Sequence, residues 1–206
     1  MTIVLATKNK GKVHELSELL SLYLPLKIKS LADFPQFDNL IIEETGDNYQ
    51  QNASLKAQVI AEKTGLPTIA DDSGLELESL DNFPGVHSAR WHAGNDQDRN
   101  RALLKKLADH QLRRAKFVAV LCFCDPHSQF ESCVEGIMPG KIAHSQRGTH
   151  GFGYDPIFVP DGFQQTFAEL TTQQKNTVSH RSQAAYKLAQ LLSEKYGKLD
   201  VSIETI

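Results

Sequence analysis

At 206 residues the chain is long enough to bury a real core, either as one plain domain or as one domain with two lobes. Hydrophobic residues make up 40% and charged residues 23%, as in ordinary globular proteins, and the formal net charge is −3. That balance argues against a general nucleic-acid or membrane-surface binder, although a local lysine cluster can still hold a small anion. Met1 to Ala6 is too short and too poor in basic residues for a signal peptide, and no apolar stretch reaches bilayer-spanning length. A soluble cytoplasmic protein is therefore expected. The three cysteines are an odd number, and Cys122 and Cys124 lie in an apolar run, so buried thiols are expected in place of a disulfide framework.

Ile3 to Ala6 reads as a short buried strand, followed by a lysine-rich turn and then Val13, Leu16, Leu19 and Leu20 at helical spacing. Leu26 to Ile28 and Leu40 to Ile42 are further candidate strands. Asp47 is placed to cap a helix through Ala53, Ala57 and Ile60 that stops near Gly65-Leu66-Pro67. Thr68 to Ala70 reads as a short strand ending in Asp71-Asp72-Ser73-Gly74, and Leu75 and Leu77 alternate with Glu76 and Glu78 as in a half-exposed strand. Asp96 to Ala108 has a helical apolar face of Leu103, Leu104 and Leu107. Phe117 to Cys124 is the longest apolar run and a central strand, with Glu131 to Ile137 its antiparallel neighbour. A glycine-rich loop, Gly148 to Pro156, precedes Ile157-Phe158-Val159, and Ser179 can cap a last helix with Ala184, Leu188 and Leu191 on its face. Helices mixed with strands and a central hairpin point to an α/β or α+β fold with a mixed sheet.

Three constellations can carry chemistry. Thr7-Lys8-Asn9-Lys10-Gly11-Lys12 lies between a strand and a helix, where free N–H groups and the helix dipole favour anions. The spacing is not that of a Walker A loop, and alone the segment reads equally as a solvated turn. Asp71 and Asp72 are adjacent carboxylates that repel unless a cation or donors offset them, and oxygen ligands of this type suit magnesium. Alone, they also read as a charged turn. Phe152 and Tyr154 can stack on a base with Gly153 and Asp155 beside them, while Lys175, His180 and Arg181 follow near the last helix. Trp91 and His92 are read as surface-packing residues, and His14, His110, His127, His144 and His150 show no ligand spacing.

In combination these segments resemble the inosine triphosphate pyrophosphatase family. The matching stretches are Thr7 to Lys12, Glu44-Thr45-Gly46, Ala70 to Gly74, Pro84-Gly85-Val86-His87-Ser88-Ala89-Arg90, Gly151 to Pro156 and Ser179-His180-Arg181. They occur in the family's order and cover essentially the whole chain. The resemblance implies a single domain over 1–206 whose two lobes surround a long mixed sheet, with the active site in the cleft between them. It implies a homodimer, a Mg²⁺ requirement, and hydrolysis of ITP, dITP or XTP to the monophosphate and pyrophosphate. Carried over by motif, Asp72 is the general base and a metal ligand, and Glu44 a second metal ligand. Thr7, Lys8, Asn9, Lys10, Gly11, Lys12 and Ser73 hold the triphosphate. Phe152, Gly153, Tyr154, Asp155, Lys175, His180 and Arg181 enclose and read the base.

Two positions depart from the pattern: Gln51 stands where many members carry glutamate, and His150 where a second glycine is frequent. Two other readings remain open at this stage: a Maf-like pyrophosphatase acting on modified pyrimidine nucleotides, and a nucleotide-binding sensor without catalysis.

Overall fold

The structure is a computed structural model that describes residues 1–197. Its strands are β1 (Thr2–Leu5), β2 (Lys27–Ser30), β3 (Thr68–Leu77), β4 (Phe83–Pro84), β5 (Arg114–Asp125), β6 (Phe130–Ile142) and β7 (Phe158–Pro160). Its helices are α1 (Lys10–Tyr23), α2 (Tyr49–Thr64), α3 (Asp96–Lys106), α4 (Thr172–Val178) and α5 (His180–Tyr196), with short 3-10 turns between them. The strands lie in the order β2–β1–β3–β5–β6–β7, with β4 paired to β3. Parallel pairs (β1 with β2 and β3) and antiparallel pairs (β3 with β4, β6 with β7) share the sheet, so it is mixed as expected. None of the described helices is long and apolar enough to cross a membrane.

The chain divides into two compact units. The first comprises residues 1–72, 119–135 and 181 onward. In it β1 carries Ile3, Val4 and Leu5, all fully buried, as a parallel strand covered on both faces requires. Leu16, Leu19 and Leu20 of α1 and Ala184, Ala185, Leu188, Ala189 and Leu192 of α5 pack with Ile3, Leu5, Ile69, Leu121 and Phe123 into one core. The second unit comprises residues 73–118 and 136–180. Its core joins Leu75 and Leu77 of β3, Leu103 of α3, Phe117 of β5, Met138 and Ile142 of β6, and Phe158 with Phe167.

Several sequence expectations are corrected. Leu40 to Ile42 form no strand: Ile41 is 82% exposed, and the ammonium of Lys8 takes the carbonyls of Asp38 and Leu40. The cap of α2 is Asn48, not Asp47; its Oδ1 accepts from the Gln51 amide at 2.9 Å. Thr68 to Ala70 and the Leu75 to Leu77 segment are one strand, β3, so Asp71 and Asp72 sit within a strand and not at its end. Glu76 is largely covered and pairs with Lys116 at 3.1 Å. The helix α4 was not visible in the apolar pattern.

The cysteine expectation is also corrected. Cys122 and Cys133 are joined by a disulfide, with Cα atoms 4.1 Å apart; only Cys124 remains a buried thiol. A four-residue connection between Asp125 and Phe130 makes the neighbouring β5 and β6 a hairpin, which brings residues 122 and 133 together across it.

Candidate active site

In the first unit, β1 delivers the chain to the lysine-rich turn and α1 begins at Lys10 with Asn9 as its cap. Asn9 Oδ1 accepts from the Lys12 amide at 3.1 Å, and Thr7 Oγ1 accepts from the Asn9 amide at 3.2 Å. Both side-chain oxygens are thus used to start the helix. No acidic residue lies in the first turn, although a helix start favours negative charge, and lysines stand at 8, 10 and 12 instead. The lysines diverge. Lys8 latches the 38–40 turn, Lys8 and Lys10 line a groove of about 580 Å³ with Thr7, and Lys12 turns to Asp71.

Neighbouring side chains of a strand point to opposite faces, and β3 uses this to separate its aspartates. Asp71 Oδ2 lies 2.5 Å from Lys12 Nζ, and Asp71 Oδ1 lies 3.6 Å from Arg181 Nε; Arg181 also donates to Glu15 Oε2 at 3.1 Å. Asp72 Oδ2 accepts from Asn52 Nδ2 at 3.2 Å, while Asn52 Oδ1 accepts from the Gly46 amide at 2.8 Å. Lys56 Nζ donates to Glu44 Oε1 at 2.6 Å, to the Asp71 carbonyl at 2.9 Å and to Asp72 Oδ1 at 3.3 Å. Asn52 and Lys56 are one turn apart on α2, which is why one helix can hold both oxygens of Asp72.

The two carboxyls titrate in opposite directions. Burial alone raises Asp71, but Lys12, Arg181 and Lys56 outweigh it and hold the group well below the usual carboxylate range. Burial also raises Asp72; Glu44 and Asp71 push it further, and Lys56 and Lys12 only partly compensate. Burial favours a neutral Lys56, but Asp72, Glu44 and Asp71 keep it charged and raise it. Asp71 is therefore a committed anion and Asp72 a carboxylate held ready to take a proton.

The donor set fits a hard divalent cation. Oxygens of Glu44, Asp72 and the Asp71 carbonyl already surround one cationic head, that of Lys56. Around it the carboxylates of Glu15, Glu44, Asp71 and Asp72 are paired with the cations Lys12, Lys56 and Arg181. No group of three or more His, Cys, Asp or Glu forms a cage among the described residues, so further ligands would have to come from water and phosphate. Gln51 belongs to the helix cap: its Oε1 accepts from the Asp47 amide at 2.8 Å.

In the second unit the loop 148–156 is held by bonds within itself and by side chains of α3 and α4. Asp155 Oδ2 accepts from the Phe152 amide at 3.0 Å and from Lys175 Nζ at 2.8 Å, and that ammonium lies 5.3 Å from the Phe152 ring centroid. Gly151 has φ +74°, and a Cβ there would strike the Asp155 carboxylate. Gly153 donates its N–H to Asp96 Oδ2 at 2.7 Å and accepts from Asn100 Nδ2 at 3.0 Å. His150 is exposed, and its amide bonds the Ala168 carbonyl.

Tyr154 departs from its expected role. Its ring is buried, its hydroxyl donates to the Ser88 carbonyl at 2.7 Å, and it accepts from Trp91 Nε1 at 2.6 Å. Burial pushes its hydroxyl up to about 12. It anchors the loop from below and offers no free face, which leaves Phe152 as the half-exposed aromatic of the segment. Trp91 is half-buried, packed near the surface as expected, and its indole N–H adds the hydrogen bond to Tyr154. His180 is 1% exposed and stacks on Phe117, with centroids 4.6 Å apart and an interplanar angle of 9°.

A model of the Ham1 family matches residues 3–191. The chain belongs to the Ham1 family. It is 45% identical over 183 residues to a dITP/XTP pyrophosphatase of Deinococcus deserti, covering 88% of this chain and 85% of that one. A solved HAM1 protein from Coxiella burnetii shares 40% identity at a TM-score of 0.82, covering 94% of this chain and 99% of the other. The Ham1 protein of Staphylococcus aureus gives 33% identity and a TM-score of 0.82 over 95% and 100% of the two chains. In this Ham1-family chain, sequence reasoning missed Glu15, Asn52, Lys56, Asp96 and Asn100. Asn52 with Lys56 and Asp96 with Asn100 carried a readable signal, since each pair is spaced to share a helix face. The partnership of Glu15 with Arg181 carried none.

Proposed function

We propose that this chain hydrolyses non-standard purine nucleoside triphosphates (ITP, dITP and XTP) to the nucleoside monophosphate and pyrophosphate. The observation that carries the reading is the Asp72 carboxylate, pinned by Asn52 beside Lys56 and Glu44, in a chain of the Ham1 family. It is supported by the dITP/XTP pyrophosphatases to which the chain is similar. Asp72 orients a water and takes its proton as the oxygen attacks the α-phosphorus, and pyrophosphate leaves. Lys12 and Lys56 offset charge on the phosphate oxygens, and the amides at the start of α1, with Ser73, position the chain of phosphates.

Glu44 and Asp72 are the residues that would hold Mg²⁺, which when bound supplies Lewis-acid stabilisation of the phosphate charge. Phe152, Asp155 and Lys175 are assigned to the base, with Gly153 as the backbone link between them. Donors such as His180 and Arg181 suit a 6-keto oxygen and penalise a 6-amino group. A cytoplasmic homodimer completes the reading, and sedimentation of the pure protein tests its oligomeric part.

The deciding experiment is pyrophosphate release from a panel of ITP, dITP, XTP, GTP, ATP and a modified pyrimidine triphosphate, with Mg²⁺ and with chelator. Release from the first three, lost on chelation, is expected. Saturable ITP binding without product would make the chain a sensor, and preference for the pyrimidine would move it to another substrate class. Asp72→Asn should keep dITP binding and lower kcat about 10²- to 10⁴-fold. Near-normal turnover in that variant would remove Asp72 from the reaction.

A further inference from the structure

The peptide N–H and C=O of Gly153, in the 151–155 loop, are both held by side chains of a single helix. Asp96, the first residue of α3, accepts its N–H at 2.7 Å; Asn100, one turn later, donates to its C=O at 3.0 Å. Gly153 lies in the left-handed region at φ +62°, between Phe152 and the buried Tyr154. A clamp on both polar groups of one peptide-flanked residue fixes its orientation about the chain, where a single hydrogen bond would leave it free to pivot.

The two clamping side chains are themselves held. The other oxygen of Asp96 pairs with Arg99, and the carboxylate sits at the start of α3, where the helix dipole favours it. Asn100 is 1% exposed, and its Oδ1 is buried without a hydrogen-bond partner among the described residues. Leaving an amide oxygen unsatisfied costs stability, so an apolar residue would serve a purely packing role better. What asparagine adds at this position is its N–H donor to Gly153.

We infer that Asp96 and Asn100 are positioning residues for base selection, setting the attitude at which Phe152 and Asp155 are presented. This rests on the reading that the loop engages the purine. Gly151 and Gly153 give the segment little stiffness of its own, and a misplacement of about 1 Å can cost on the order of 10²-fold in rate. The clamp supplies that precision from a regular helix.

Steady-state kinetics with dITP and dGTP on Asp96→Ala, Asn100→Ala and Asp96→Asn test the inference, together with amide hydrogen exchange at Gly153. Both alanine variants should raise KM for dITP and lower the dITP-to-dGTP ratio of kcat/KM by about tenfold or more, with kcat within about threefold. Asp96→Ala should also speed exchange at Gly153. Asp96→Asn keeps an acceptor oxygen and should restore both readouts. A proportional fall for both nucleotides with an unchanged ratio would mean only loss of folded protein, and would overturn the inference. So would unaltered exchange in Asp96→Ala. If the wild-type chain itself fails to prefer dITP over dGTP, the base-reading assignment falls first and takes this inference with it.

Discussion

Asp71 and Asp72 share a strand and a residue type, yet their surroundings demand opposite things of them. Asp71 is an anion locked between Lys12 and Arg181, while Asp72 meets one lysine, one amide donor and the repulsion of Glu44. Removing one partner from a buried ion pair strands the remaining charges, so Asp71→Asn should destabilise the fold by about 3–5 kcal/mol. Because its folded pKa is depressed, the contribution of Asp71 is present above the ordinary carboxylate pKa of about 4 and is lost as pH falls below it. The variant should therefore show a flatter loss of stability in acid. Asp72→Asn removes a charge that burial disfavours and leaves Lys56 its bonds to Glu44 and the Asp71 carbonyl. Its denaturation midpoint should stay close to wild type while turnover collapses. Urea titrations of both variants at several pH values make the comparison, and equal destabilisation by the two would contradict the division of roles. The sequence showed the pair as a candidate but could not show this division, because the cations come from residues 12, 56 and 181, brought together only by the fold.

The loop that carries Phe152 and Asp155 owes part of its shape to residues outside it. Tyr154 ties it to the Ser88 carbonyl and to Trp91, so Tyr154→Phe leaves a buried carbonyl and an indole N–H without their partner. A loss of about 1–3 kcal/mol follows from the unsatisfied groups. The folded phenol titrates near 12 against a usual 10.0, so its contribution is intact below pH 10 and is lost as pH rises toward 12. Thermal denaturation from pH 8 to 12 should show that alkaline slope in the wild type and a weaker one in the variant. Identical slopes would detach Tyr154 from the effect. At this scale the sequence was most readable where periodicity and burial agree, as in α1, α5 and β5. It failed at Leu40 to Ile42, where a contiguous apolar run has Ile41 exposed and the carbonyls of Asp38 and Leu40 are claimed by Lys8. It failed again in β3, where a charged pair inside a buried strand looked like a chain turn because its compensating cations were out of view.

At the scale of the whole chain, the order of motifs revealed the family, but it did not reveal that neither compact unit is a contiguous segment. Residues 1–72, 119–135 and 181 onward make one unit, and 73–118 with 136–180 make the other. Hydrophobic periodicity reports which face of an element is buried, not which distant element buries it, so this partition leaves no mark in the sequence. It has a consequence for folding. The core of the first unit takes Ile3 and Leu5 from β1, three leucines from α1, Leu121 and Phe123 from β5, and Ala184, Ala185, Leu188, Ala189 and Leu192 from α5. A chain ending at residue 180 would keep every residue of the second core but lose all five of those from α5. Single deletions of buried leucine side chains cost about 2–5 kcal/mol, and whole domains have only about 5–15 kcal/mol in hand, so the first unit should not survive the truncation. Hydrogen exchange of the 1–180 chain should then find the amides of β1 and α1 unprotected. Native-level protection there would show that α5 is dispensable to that core.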